Sequence, residues 1–231
     1  MLRPVAEPRS LRRNVPDPEA GPPARSFVQQ RARDTHQRLL EAAAKLFAER
    51  GYDDTQTPDI AERAGVAVGT FYRYFTDKRQ AFLELSAQHL EQSYQSVVSR
   101  LTPDAFASTR TRRERRATID QVIDILFEST AESPQLTREF LAVAMRDAEL
   151  AHLRDEYEER GRQAIAALIR ANLPAGRIPD ADAAARVISV AAQDVALVTA
   201  GLRGPVPSPR EAQAIRAALA DMFYRYAFGD D

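Results

Sequence analysis

The chain has 231 residues, of which 44% are hydrophobic and 28% charged, and a formal net charge of −1. That length suits one small and one larger helical unit with a real core, and no apolar stretch is long enough to span a membrane. A near-neutral balance excludes coating nucleic acid by bulk charge, though not reading it with locally placed cations. The absence of cysteine excludes disulfides, thiolate catalysis and cysteine–zinc sites, and nothing suggests an oxidising compartment, so a cytoplasmic location is expected.

Residues 1–28 differ from the rest. Pro4, Pro8, Pro16, Pro18, Pro22 and Pro23 alternate with Arg3, Arg9, Arg12, Arg13 and Arg25. Such a stretch has no apolar core and reads as a disordered, weakly basic arm. It is either a solvated tail or a source of extra phosphate or minor-groove contacts.

From Leu39 the pattern becomes helical. Leu39, Ala42, Ala43, Leu46 and Phe47 follow the spacing of an amphipathic helix. Arg50-Gly51 ends it, with a cation at the negative dipole end and a C-terminal glycine. Thr57-Pro58-Asp59 reads as the next start, with Thr57 as N-cap and Pro58 at the first helical position. A turn at Gly65 follows, where a positive φ or close packing favours glycine. A second short helix is expected over 68–75, with Gly69, Thr70, Tyr72, Arg73 and Tyr74 facing outward. The layout is that of a helix-turn-helix reader of the DNA major groove. Ile60, Ala64, Val66, Phe71 and Phe75 would form its small core. Tyr72, Arg73 and Tyr74 cannot all point inward at 3.6 residues per turn. Asp77 with Gln80 then starts a long helix marked by Leu83, Ala87, Leu90, Tyr94, Val97, Val98 and Leu101.

The run LLEAAAKLFAERGYDDTQTPDIAERAGVAVGTFYRYFTDKRQAF, from Leu39 to Phe82, resembles the N-terminal domain of the tetracycline-repressor (TetR) family of bacterial transcription regulators. The elements LFAERGY, IAERAGV and GTFYRYFTDK stand in that family's order and spacing. The resemblance implies an all-α chain. Residues 29–78 would be a three-helix helix-turn-helix DNA-binding domain, and 79–231 a larger helical ligand-binding and dimerisation domain. It further implies that Thr57 contacts a phosphate, that Val68, Gly69 and Thr70 lie at the groove edge, and that Tyr72 and Tyr74 touch phosphates or thymine methyls. Arg73 would hydrogen-bond a base edge, and Lys78 would anchor a phosphate. Two positions depart from the family: Val68 stands where a polar or basic residue is common, and Tyr74 where histidine is.

The remainder reads as helix throughout. Ile119, Val122, Ile123, Leu126, Phe127 and Thr130 mark one helix, and Pro134 starts a short one. Another runs from Leu150 to about Asn172; Pro179-Asp180 and Pro207-Ser208-Pro209 precede the last two. Between Val187 and Val198 the chain is apolar on nearly every face, so it must be covered on both sides. Val187, Val190, Ala191 and Val198, with Ile215, Leu219, Met222 and Phe223, are the candidate dimer contacts in a two-fold four-helix bundle. A homodimer would present two reading helices to a palindromic double-stranded operator.

The resemblance also implies a small-molecule effector of unknown identity. Candidate walls are Tyr94, Phe127, Phe140, Met145 and Tyr157. Gln193 and Asp194 interrupt an apolar helix and need polar partners if buried. Arg110, Arg112, Arg113, Arg115 and Arg116 read as a solvated loop and helix start. His36, His89 and His152 show no metal-ligand spacing, and neither a phosphate loop nor a nucleophile elbow occurs. The reading is therefore a ligand-responsive transcriptional repressor with no cofactor and no catalytic residues. The alternative is an all-helical small-molecule-binding or scaffold protein that does not use DNA.

Overall fold

The computed structural model describes the backbone of residues 24–99, 102 and 111–229, and side chains from residue 29 onward. Among the described residues the only regular elements are nine helices. They are α1 (Ala24–Arg50), α2 (Thr57–Arg63), α3 (Val68–Phe71), α4 (Lys78–Val98), α5 (Arg112–Glu132), α6 (Pro134–Ala144), α7 (Ala148–Asn172), α8 (Ala181–Thr199) and α9 (Pro209–Phe228). Most of the proposed arm, and Arg110, lie outside the described residues. Residues 24–28, assigned to the arm, are helical instead. Beyond Pro23 the next proline is Pro58, and the Ala-, Gln- and Arg-rich stretch favours helix once no proline interrupts it.

Helix starts follow cap chemistry. The Asp77 carboxylate accepts the Gln80 amide at 2.8 Å, and Thr111 accepts that of Glu114 at 3.2 Å. Asp147 caps α7, Asp180 caps α8 and Ser208 caps α9. At α2 the N-cap is Gln56 rather than Thr57, and Asp59 accepts the Gln56 amide at 3.1 Å. Thr57 is thus the first helical residue, and Pro58 follows it in a turn whose amides have no helical acceptor.

Two buried clusters organise the molecule. The first joins Leu39, Leu46 and Phe47 of α1, Ile60 of α2, Phe71 and Phe75 at α3, and Phe82 of α4. Phe140, Val143 and Leu150 complete it, so α6 and the start of α7 belong to the core of the small head. Phe47, Phe71, Phe75 and Phe82 are at most 1% exposed; each such side chain contributes about 1.5–3 kcal/mol of burial. The second cluster joins Ile119, Ile123 and Phe127 of α5, Ala192 and Ala196 of α8, and Leu219 and Tyr224 of α9.

Polar ties fasten head to body. Arg79 donates to both Asp147 oxygens at 2.6 and 2.8 Å and to Glu149 at 2.8 Å. Arg146 pairs with Asp53 at 2.7 Å. Arg112, Arg115 and Arg116 form no mere solvated start, whereas Arg113 is exposed as expected. Arg116 reaches Asp221 at 3.1 Å, and Arg112 and Arg115 lie over the rings of Tyr224 and Phe228 at 5.6 and 4.9 Å. They fasten α5 to the last helix.

Candidate nucleic-acid interface

The turn between α2 and α3 is closed by backbone bonds. Gly65 donates to Glu62 and Val66 to Ala61, both at 3.0 Å, which is the pattern of a helix ending in a left-handed residue. Gly65 has φ +66°, so a side chain there would be strained. Val66, two residues before α3, packs against the first cluster.

The regular part of α3 ends at Phe71, not at 75. The chain continues as a tightened turn: Arg73 donates to Thr70 at 3.2 Å and Tyr74 to Phe71 at 2.9 Å. These are three-residue steps, and glycine and aromatic residues hold a regular α-helix poorly. Phe71 and Phe75 nail this segment to the core. The opposite edge is free: Val68 is 38% and Tyr72 56% exposed, and Gly69 and Arg73 are exposed too. Thr70 is half-buried. A Cβ placed on Gly69 would meet no atom within 4 Å. The missing side chain therefore serves no packing inside the protein.

Three residues sit differently from expectation. Lys78 does not reach outward. Its Nζ donates to the carbonyls of Tyr52 and Asp53 at 2.9 Å and of Thr55 at 2.8 Å, and lies 4.8 Å from the Tyr52 ring centre. An ammonium has three protons, and all three are engaged, so Lys78 is a clamp on the loop after α1 rather than a free phosphate anchor. Thr57 is buried and offers little surface to a phosphate. Tyr74 is half-buried rather than outward; it leans on His36, their ring centres 5.8 Å apart, while His36 stacks on Phe75 at 5.1 Å.

The body contains two adjoining cavities. An inner one of about 170 Å³ is walled by Val97, Ile123, Ile165, Ile169, Ile188 and Phe223. An outer one of about 280 Å³ is bounded by Tyr94, Phe140, Tyr157 and Gln193, four of the seven expected effector contacts. Val97, Leu126, Ile165 and Ala192 face both. The other three expected contacts are elsewhere. Phe127 is sealed in the second cluster with Arg216 over its ring at 4.8 Å. Met145 is 86% exposed, because it caps α6 beyond the last turn that packs. Asp194 pairs with Arg203.

The outer tyrosines are held by a polar cluster. Glu91 accepts Gln95 at 2.7 Å, the Tyr157 hydroxyl at 2.9 Å and Arg160 at 3.0 Å. These three hydrogen bonds hold the Glu91 carboxyl below its usual range. Burial, with Glu91 beside it, pushes the Tyr157 hydroxyl up. The Arg160 guanidinium lies 4.1 Å from the Tyr94 ring centre and 4.6 Å from that of Tyr157. Sequence reading missed Arg160, since a lone arginine in a charged stretch carries no pattern.

On the last two helices, Val187, Val190 and Met222 are 67, 61 and 48% exposed. Ala191, Val198 and Ile215 are partly so. Leu219 is buried in the second cluster, so it serves the protomer's own core, and Phe223 is partly buried against that cluster. Leu219 and Phe223 lie four residues apart on one inward face of α9, whereas Met222, next to Phe223, is turned outward.

Comparison with known proteins agrees with this architecture. Residues 39–85 match the family model "Bacterial regulatory proteins, tetR family", and residues 116–226 match "Tetracyclin repressor-like, C-terminal domain". The AcrR regulator of Shigella flexneri is 32% identical over 103 residues, covering 38% of this chain and 48% of that protein. The transcriptional activator FasR of Mycolicibacterium smegmatis is 30% identical over 88 residues, 38% of each chain. The chain thus spans about half the length of the curated relatives it matches, or less. A TetR-family crystal structure from Mesorhizobium loti shares the fold, with a TM-score of 0.66 at 22% identity, over 84% of this chain and 96% of that one. No helix among the described residues is long and apolar enough to cross a membrane. Helix-turn-helix head and helical body both have their counterparts in one family, and the chain belongs to the TetR family of bacterial transcriptional regulators.

Proposed function

We propose that this chain is a homodimeric, sequence-specific DNA-binding regulator of transcription, acting in the cytoplasm as a repressor that a small molecule releases from a palindromic operator. One observation carries the reading. Gly69, Tyr72 and Arg73 form an exposed edge on a segment that is otherwise fixed by the fully buried Phe71 and Phe75. Arg73 is free of protein partners among the described residues and can meet a base edge, where a bidentate contact to guanine discriminates by about 1–3 kcal/mol. Gly69 lets the backbone approach a phosphate, and Val68 and Thr70 flank it.

The exposed apolar residues Val187, Val190 and Met222 support a two-fold contact through α8 and α9. Two heads would then meet successive major grooves. The short helix α6 links cavity to head. Thr137, Phe140 and Leu141 wall the outer cavity, and Glu139 on the same helix accepts the Tyr52 amide at 2.8 Å. A ligand that favours a different seat for α6 would shift the population of head spacings.

Selection of genomic fragments by the purified, ligand-free dimer tests the proposal. Recovery of a two-fold symmetric motif is expected. Recovery of none, at low salt, defeats it.

A further inference from the structure

The two cavities differ in chemistry, and the difference points to a class of ligand. The inner chamber is walled by aliphatic side chains and Phe223. Asn172 is the one polar residue on its wall, and its side-chain amide donates to the Leu168 carbonyl at 3.1 Å. A wall of this kind favours hydrocarbon over polar groups.

The outer chamber carries hydroxyls, three of which have their protons committed to backbone. Ser129 and Thr130 both donate to the Leu126 carbonyl, at 3.1 and 2.8 Å, and Thr137 to that of Ser133 at 3.0 Å. The hydroxyls of Ser93, Tyr94 and Ser189 make no such bond, and of these Ser189 alone is sealed from solvent. Its Oγ is buried and has no hydrogen-bond partner, and the residue lies on the wall of the outer chamber. A buried hydroxyl without a partner is destabilising, and a ligand oxygen would relieve it.

Charge at this chamber is already balanced within the protein. Arg154 lies between Asp155 at 2.9 Å and Glu158 at 3.5 Å. Arg160 covers the rings of Tyr94 and Tyr157 and pairs with Glu91 at 3.0 Å. A ligand carboxylate finds no unshared cation here, and a ligand ammonium finds the tyrosine faces occupied. Burial holds His89, also on this wall, below the usual histidine range, so it adds no charge near neutral pH.

We propose that the paired chambers hold one uncharged amphiphile, with an alkyl or ring body in the inner chamber and a hydroxyl or carbonyl oxygen at Ser189 in the outer. Val97, Leu126, Ile165 and Ala192 line both chambers, so a single molecule spanning them would pass between these side chains. Each chamber alone is below the size usual for ligand sites, about 300–1,000 Å³, and the two together reach it. This inference rests on the ligand-responsive reading above and names the chemistry of that ligand.

Calorimetric titration of the full chain with 1-hexanol, 1-octanol, octanoate and octyltrimethylammonium tests it. Affinity for the alcohols is expected to rise about fourfold per methylene. The two charged probes should bind at least roughly tenfold more weakly than 1-octanol, as expected for an ion that gains no partner. Ser189→Ala should weaken 1-octanol about three- to tenfold and leave the chain-length dependence intact. Its fold is safe, because the change removes an unsatisfied group. Equal or tighter binding of a charged probe, no dependence on chain length, or no binding at all would overturn the inference. DNA selection on the same preparation separates the two readings. Motif capture with no alcohol binding keeps the regulator and defeats this ligand class; alcohol binding with no motif does the reverse.

Discussion

The backbone amide of Tyr52 donates to the Glu139 carboxylate at 2.8 Å across 87 residues of chain. This bond joins the loop after α1 to the helix that walls the outer cavity. Tyr52 also gives its carbonyl to Lys78, so the loop is gripped from the body on one side and from α4 on the other. Glu139→Ala removes a charged acceptor from a part-buried amide, and should lower stability by about 1–2 kcal/mol. Denaturant titration measures that. Ligand and DNA should each still bind the variant, while the effect of ligand on DNA affinity shrinks; an unchanged coupling would exclude α6 as the link.

Lys78 gives a sharper case, because the family resemblance and the geometry disagree about it. A phosphate anchor and a carbonyl clamp differ in salt dependence. Replacing a phosphate contact reduces the slope of log affinity against log salt by about 0.9. Lys78→Met should instead leave that slope unchanged and lower stability by about 2–3 kcal/mol through three stranded carbonyls. A reduced slope in a fully stable variant would restore the anchor.

Lys78 also shows where sequence reading ends. The starts of α6, α8 and α9 were legible because Pro134, Asp180 and Ser208-Pro209 act on their own neighbouring amides. The core face of α1 was legible because its apolar period is local. The acceptors of Lys78 are backbone carbonyls 23 to 26 residues earlier, and carbonyls have no letter in the sequence. The same holds for Arg116 and Asp221, 105 positions apart. Apolar periodicity likewise could not tell Leu219, turned inward, from Met222, turned outward. In the candidate reading segment, Arg73 and Tyr72 were legible as outward residues, whereas the end of α3 at Phe71 was set by backbone steps no pattern announces.

Gly69 sets stability and binding against each other. A methyl there meets no protein atom within 4 Å, and alanine is the better helix former by about 0.8–1.0 kcal/mol. Gly69→Ala should therefore melt no lower than the parent, and bind operator DNA more weakly by steric contact with the backbone it approaches. A variant with undiminished DNA affinity would remove Gly69 from the interface.

His89 makes stability depend on pH. Burial lowers its pKa, opposed only by Glu132, so the unfolded chain takes up a proton more readily than the folded one. Stability is then full above the unfolded value, about 6.5, and falls as pH drops through it toward the folded pKa. Denaturation between pH 7.5 and 5.5 should show this loss, and His89→Gln should flatten it. An equal slope in the variant would assign the dependence to other groups.

The central claim is that the edge carrying Arg73 reads DNA. Its most direct test is competition between the selected motif and random DNA, for the parent and for Arg73→Ala. Arg73 is exposed and, among the described residues, unpaired, so the variant should keep its stability within about 0.5 kcal/mol, remain dimeric and retain salt-dependent binding to any duplex. It should lose about 1–3 kcal/mol of preference for its motif at each half-site. A folded dimer whose preference is unchanged would contradict the account.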